Sequence, residues 1–355
     1  MRRHGRLRAG LITGAALAGL AGLAVTSRLL TPLSIAPGGP APAPAPAADD
    51  GATVVGERRR GERVLDLAVR SPVLPSVAHV RLLLPPGWRR GSARTWPVLW
   101  LLHGTGGDHA SWTGHTDVEE LTAGLDVLVV MPDGGPCGLY TDWWNRGTGG
   151  PPRWETFHLT ELRQILERGY GAGTSRAVAG VGQGGLGALA YAARHRGLFR
   201  AAASFSGPLH TLHNEPGGLD VSDLVELAVA VGARGAAWTD VWGDPREQRI
   251  VWRQHNPYDL ADRLSGVRLH VASGDGAPGP LDPLPASGPD GPAALEALSR
   301  ALSGDFTGKL KKLGIPVSTH FYRGRQGWAY WRRELHAALP LLLAELAGPG
   351  SARAG

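Results

Sequence analysis

The sequence predicts an α/β domain, a mainly parallel sheet with helices on both faces. Three observations lead there. Short, uninterrupted apolar runs rich in Val, Leu and Ala recur along the chain, as in strands buried on both faces. Segments of helical pattern lie between them. Several runs also end in glycine-bearing turns, where an open α/β sheet receives its ligands. In chain order the expected strands are His79–Leu84, Pro97–Leu102, Asp126–Met131, Ala177–Val181, Ala201–Phe205, Val267–Ala272 and Val317–Phe321. The expected helices lie near Glu155–Arg168, Leu186–Arg194, Pro257–Leu264, Ala293–Leu313 and Ala329–Leu346. Gly276–Gly291, crowded with Pro, Gly and Asp, reads as a loop. These elements make one domain over residues 54–346, with a disordered tail at 347–355.

The 355 residues are 43% hydrophobic, which argues against disorder of the whole chain. The single Cys137 excludes an internal disulfide framework and a cysteine zinc site. The net charge of +6 is mostly local. Residues 1–48 hold Arg2, Arg3, Arg6, Arg8 and Arg28 and no acid, so removing those five leaves the remainder at +1. A nucleic-acid partner loses its main support. A basic start followed by the uncharged run Leu11–Val25 has the pattern of an export signal. Residues 1–35 therefore read as a signal peptide or, if uncleaved, an N-terminal membrane anchor. The Pro/Ala-rich stretch 36–53 reads as an extended spacer. Both place the domain outside the cytoplasm, secreted or held at the cell surface.

The turns that follow the strands are His103-Gly104-Thr105-Gly106-Gly107, Pro132-Asp133-Gly134-Gly135, Gly180-Val181-Gly182-Gln183-Gly184-Gly185, Ser206-Gly207 and Ser273-Gly274-Asp275-Gly276. Glycine there permits tight turns and close backbone approach to a ligand. A dinucleotide reading of Gly180, Gly182 and Gly185 fails, because such a loop belongs in the first βαβ unit with an acid about 20 residues on. Other pieces are Leu101-Leu102-His103-Gly104 with Ser111-Trp112, Val130-Met131-Pro132-Asp133-Gly134-Gly135 and Tyr140-Thr141-Asp142-Trp143. Trp154-Glu155-Thr156-Phe157, Asn256-Pro257 and Trp328-Ala329-Tyr330-Trp331 complete the set. In order and spacing they resemble the esterase family of α/β-hydrolases that includes esterase D and the antigen 85 mycolyltransferases. The resemblance runs from about Val64 to Leu343.

It implies an α/β-hydrolase fold and a Ser–acid–His triad, the Ser sitting in a sharp strand-to-helix elbow. Here the three places carry other residues: Gly182 for the nucleophile, Gln326 for the base two residues before Trp328, and Pro280 for the acid, with Asp282 nearby. Glycine has no oxygen to attack with, and glutamine is no general base at neutral pH. The resemblance also implies an oxyanion hole at the backbone N–H groups of Thr105 and Gln183. His103 stands where the mycolyltransferases have an acid near the sugar acceptor.

The reading that follows is an exported family member that has lost Ser–acid–His catalysis and binds a lipid, glycan or envelope partner. The alternative is an active serine esterase or acyltransferase with a relocated nucleophile, Ser206 first, assisted by Asp282. His103, Trp143, Trp144 and Trp328 are the expected groove residues, while Trp154 and Trp331 read as core. The region Trp238–Trp252 reads as packing rather than a lid. His210 and His213, followed by Glu215, lie in a loop without fixed geometry, so neither a metal site nor a cofactor is expected.

Overall fold

In the computed structural model the described residues are 45–213, 221–233, 235–283 and 291–347. They all belong to one unit, Pro44–Gly355. The expected export segment, the first part of the spacer and the tail from 348 lie outside the described residues.

Nine strands form one sheet in the order β1-β2-β3-β5-β4-β6-β7-β8-β9. They are β1 Thr53–Arg59, β2 Val64–Arg70, β3 Ala78–Leu83, β4 Trp96–Leu102, β5 Leu128–Pro132, β6 Ala172–Val181, β7 Ala201–Phe205, β8 Arg268–Gly274 and β9 Val317–Tyr322. The pairings from β5 through β4, β6, β7 and β8 to β9 are parallel. β1, β2 and β3 join as antiparallel neighbours at the β5 edge. The expected strands all form. The two N-terminal ones escaped the sequence reading because β1 is polar and half-exposed, with no apolar run to mark it.

The helices are α1 Ser111–His115, α2 Val118–Leu121, α3 Trp154–Thr156, α4 Arg163–Gly169, α5 Gln183–Arg194, α6 Val221–Gly232, α7 Thr239–Trp242, α8 Arg249–His255, α9 Gly291–Lys312 and α10 Trp328–Leu346. A π-helical stretch, Phe157–Leu162, links α3 to α4. The helix expected near 257–264 shrinks to a 3₁₀ turn at Ala261–Leu264. Strand alternation explains the two covered faces. Val178 and Ala202 join Ile165 of α4, Leu189 of α5 and Phe306 of α9 in one core. Ala177, Ala179, Ala201 and Ala203 meet Leu335 and Leu339 of α10 in the other. A third cluster unites Leu186 with Val225 and Val229 of α6, Trp242 and Trp252. Those two tryptophans are fully buried, so the Trp238–Trp252 region packs, as expected, against the body.

The spacer ends sooner than the sequence suggested. Ala47 bridges to Thr53, and Ala48 and Ala52 are buried. Asp49 accepts from the Gln164 side chain at 2.8 Å. Residues 45–53 therefore belong to the domain. Among the described residues no helix is long and apolar enough to cross a membrane.

Candidate active site and its cavity

The sharp turn from β6 into α5 sits at the centre of the sheet's carboxyl edge. Gly182 adopts φ 54 and ψ −121 as the N-cap of α5. This is the backbone region where a side chain is strained and glycine is not. The turn is tight: a Cβ on Gly184 would stand 2.5 Å from the Leu102 carbonyl oxygen. A Cβ on Gly182 would meet nothing nearer than Gly104 Cα at 3.8 Å, so the space for a side chain is open.

Opposite the elbow runs the loop after β4. Gly107 N–H donates to Gly104 O at 3.1 Å and Gly106 N–H to Pro136 O at 2.8 Å, which sets its shape. His103 lies beneath it, buried. The His103 Nε2 accepts from Gly134 N–H at 2.8 Å, so Nδ1 carries the proton and donates to Gly104 O at 2.8 Å. Tyr140 donates to the His103 carbonyl at 3.0 Å. His103 is therefore a fastening under the loop, and its placement in the groove is corrected. Thr105 and Gln183 both face the cavity. As the first residue of α5, Gln183 has an amide that the helix cannot satisfy. Its side chain is turned away, accepting from Leu139 N–H at 3.1 Å and donating to Gly135 O at 3.3 Å.

Gln326, in the loop between β9 and α10, lines the same cavity. The carboxylate it faces is Glu296 of α9. Pro280 and Asp282 are elsewhere: Asp282 accepts from Gly279 N–H at 2.7 Å and from Tyr330 at 3.1 Å, tying its own loop to α10. The acid position read from the 273–276 turn is thereby corrected. A helix from later in the chain, α9, brings this carboxylate back to the site. Glu296 is 0% exposed. It accepts from Gly274 N–H, from Ser273 at 3.1 Å and from Ser206 at 2.8 Å. Burial pushes its carboxyl above the usual carboxylate range against the pull of those donors.

Ser206 follows β7 with φ 54, an unusual conformation for a residue with a side chain. Its hydroxyl donates to Glu296 and accepts from the Trp331 indole at 3.0 Å. Its partner is thus Glu296, and the expected pairing with Asp282 does not form. Trp331, read as core, lines the cavity beside Trp328. Trp328 stacks on His115, ring centroids 4.9 Å apart. Trp143 packs into the third cluster and Trp144 against the Gly147 turn. Neither lines the cavity, which corrects that expectation. The cavity measures about 430 Å³, within the range of small-molecule sites. Its lining includes the polar Thr105, Gln183, Ser206 and Gln326 and the apolar Leu186, Leu224, Val225, Ala228 and Leu295.

Beside the cavity, His210 and His213 meet Asp305 of α9. The sequence had offered Glu215 as their companion, and that residue lies outside the described ones.

The sheet order and the elbow define an α/β-hydrolase fold. The Esterase family profile matches residues 71–342, and the chain belongs to that family. Esterase Rv1288 of Mycobacterium tuberculosis is 36% identical over 245 residues, 68% of this chain. The chain spans about half the length of that relative, 50%. Diacylglycerol acyltransferase/mycolyltransferase Ag85B of Mycolicibacterium smegmatis is 30% identical, covering 66% of this chain and 71% of its own. The solved structure of M. tuberculosis MPT51 superposes with a TM-score of 0.63 at 26% identity, covering 81% of this chain and all of that one.

Proposed function

We propose that this protein binds an acyl-bearing amphiphile in the cavity without turning it over, and that it does so outside the cytoplasm. The observation that carries the reading is Gly182 at the elbow. The position that must present a nucleophile has no side chain, and Gln326 faces Glu296 where a base is needed. The backbone amides of Thr105 and Gln183 suit an ester or carboxyl oxygen, and the apolar α6 residues in the lining suit a hydrocarbon. The names of the relatives describe ester and acyl-transfer chemistry, which supports the ligand class. The basic, apolar start of the chain supports export.

A second reading has one observation in its favour. Ser206 is held at positive φ in the cavity and hydrogen-bonds a buried carboxyl. Its partners are Glu296 and Trp331 rather than an imidazole, and its residue is 1% exposed. Both facts weigh against attack on an ester.

The test treats the full chain with a fluorophosphonate and with p-nitrophenyl esters, and titrates it with a fatty-acyl ligand read by tryptophan fluorescence against Trp328→Phe. Saturable quenching with no covalent label supports the proposal. Labelling abolished by Ser206→Ala replaces it with the second reading. Neither label nor binding overturns both.

A further inference from the structure

The segment leaving β7 carries Pro208 and Thr211 into the cavity wall, and between and beyond them it places His210 and His213. Both rings turn to one oxygen of α9. His213 Nδ1 stands 2.8 Å and His210 Nδ1 3.3 Å from Asp305 Oδ2. The three possible ligand atoms lie within 4.8 Å of one another. The His210 ring is held by Tyr258, face to face with centroids 3.8 Å apart. The nearby Lys309 ammonium sits over the far-reaching Tyr258 ring at 4.2 Å, which gives that cation its own partner.

We infer that His210, His213 and Asp305 form a binding site for a divalent first-row transition ion, with Zn²⁺ the best-fitting candidate. Two neutral imidazoles and one carboxylate are a common donor set for such an ion, with a fourth position left for water. Ligands about 2.0–2.1 Å from a tetrahedral zinc stand roughly 3.3 Å apart. The His210–Asp305 separation already has that value, and the His213–Asp305 pair must open by about half an ångström. The His side chains are 17% exposed and Asp305 40%, leaving a path for the ion. The ion would tie the exit loop of β7, and with it the cavity wall, to the helix that carries Glu296.

The site is independent of the acyl-binding proposal. Full-chain protein freed of metal with a chelator is titrated with Zn²⁺ by calorimetry, and with Co²⁺ by visible absorption. One ion per chain is expected, with the affinity falling at least about tenfold in His213→Gln and in Asp305→Asn. The metal-free melting temperatures of both variants check that they fold. Co²⁺ should give the intense visible bands of a four- or five-coordinate site with nitrogen ligands. That spectrum in the unaltered protein decides the matter if a variant fails to fold. Binding that is unchanged in both folded variants overturns the inference. So does a Co²⁺ spectrum no different from the hydrated ion, which would leave only a hydrogen-bonded His–Asp cluster.

Discussion

If the site lacks only its reagents, supplying them restores turnover. The perturbation is the double variant Gly182→Ser, Gln326→His. The introduced Cβ at the elbow has open space, with Gly104 Cα the nearest atom at 3.8 Å. At φ 54 a side chain costs about 1–3 kcal/mol of backbone strain. In a domain of this size that lowers the melting temperature by several degrees, roughly 2–4 °C for each kcal/mol. The second change puts an imidazole where Gln326 faces Glu296, whose carboxyl would orient it and stabilise its charged form. The backbone amides of Thr105 and Gln183, both in the cavity lining, are undisturbed. Losing a triad nucleophile or base removes about a million-fold in turnover, so even an imperfect triad has a wide range to recover. The expected gain for p-nitrophenyl butyrate is about a hundredfold or more over the unaltered chain. Each single variant should give far less than its share, because the groups act as a unit. Labelling by a fluorophosphonate at position 182 confirms the route. A folded double variant that neither labels nor exceeds the unaltered chain would refute the reasoning that the frame is intact.

Three other expectations rest on single groups. Ser206→Ala should leave background ester hydrolysis unchanged while destabilising the fold by about 1–3 kcal/mol, since buried Glu296 loses a donor; chemical denaturation measures it. Burial works to raise the Glu155 carboxyl, but His195 and Arg194 hold it to about 2. A lowered folded pKa gives stability that is present above the unfolded value near 4.5 and is lost as pH falls toward 2. Glu155→Gln should therefore cost about 3 kcal/mol at pH 7 and flatten the acid limb of a stability–pH curve between those values. Burial first, then the neighbouring Asp50, pushes Glu161 up to about 8. A raised folded pKa gives stability that is present below about 4.5 and is lost as pH rises through 8, so Glu161→Gln should raise the melting temperature at pH 8.5 relative to the unaltered chain and change it little at pH 5.

The contrast between what was legible and what was not has a physical pattern. Strands β4 to β8 were readable because burial on both faces makes each one largely an apolar run, and β7 is Ala201–Phe205 to the residue. β1 was not singled out, because a largely exposed edge strand needs no such run; β2 is largely buried, but Asp66 interrupts its apolar run. The elbow was readable because it is local: strand, glycine and helix follow within a few residues, and backbone shape alone defines it. His103 was placed in the groove because it stands where the resemblance puts an acid near a sugar acceptor, while the structure buries it and spends both its nitrogens on backbone groups.

Glu296 and Asp305 show the opposite case. Both come from α9, a helix that begins after a loop of free length, so no spacing ties them to β7 or to Gln326. The sequence does hold one clue: a Glu and several Ser on a helix face that is otherwise apolar, with Glu296, Ser299 and Ser303 all buried. Buried polar groups on a core-facing stripe need partners. Glu296 finds them in Ser206, Ser273 and Gly274, the turns at the ends of two adjacent parallel strands. A carboxyl so placed fastens those turns whether or not a nucleophile stands at the elbow. That gives Glu296 a structural role of its own. It also implies that Glu296 is the member of the site whose removal should harm folding most.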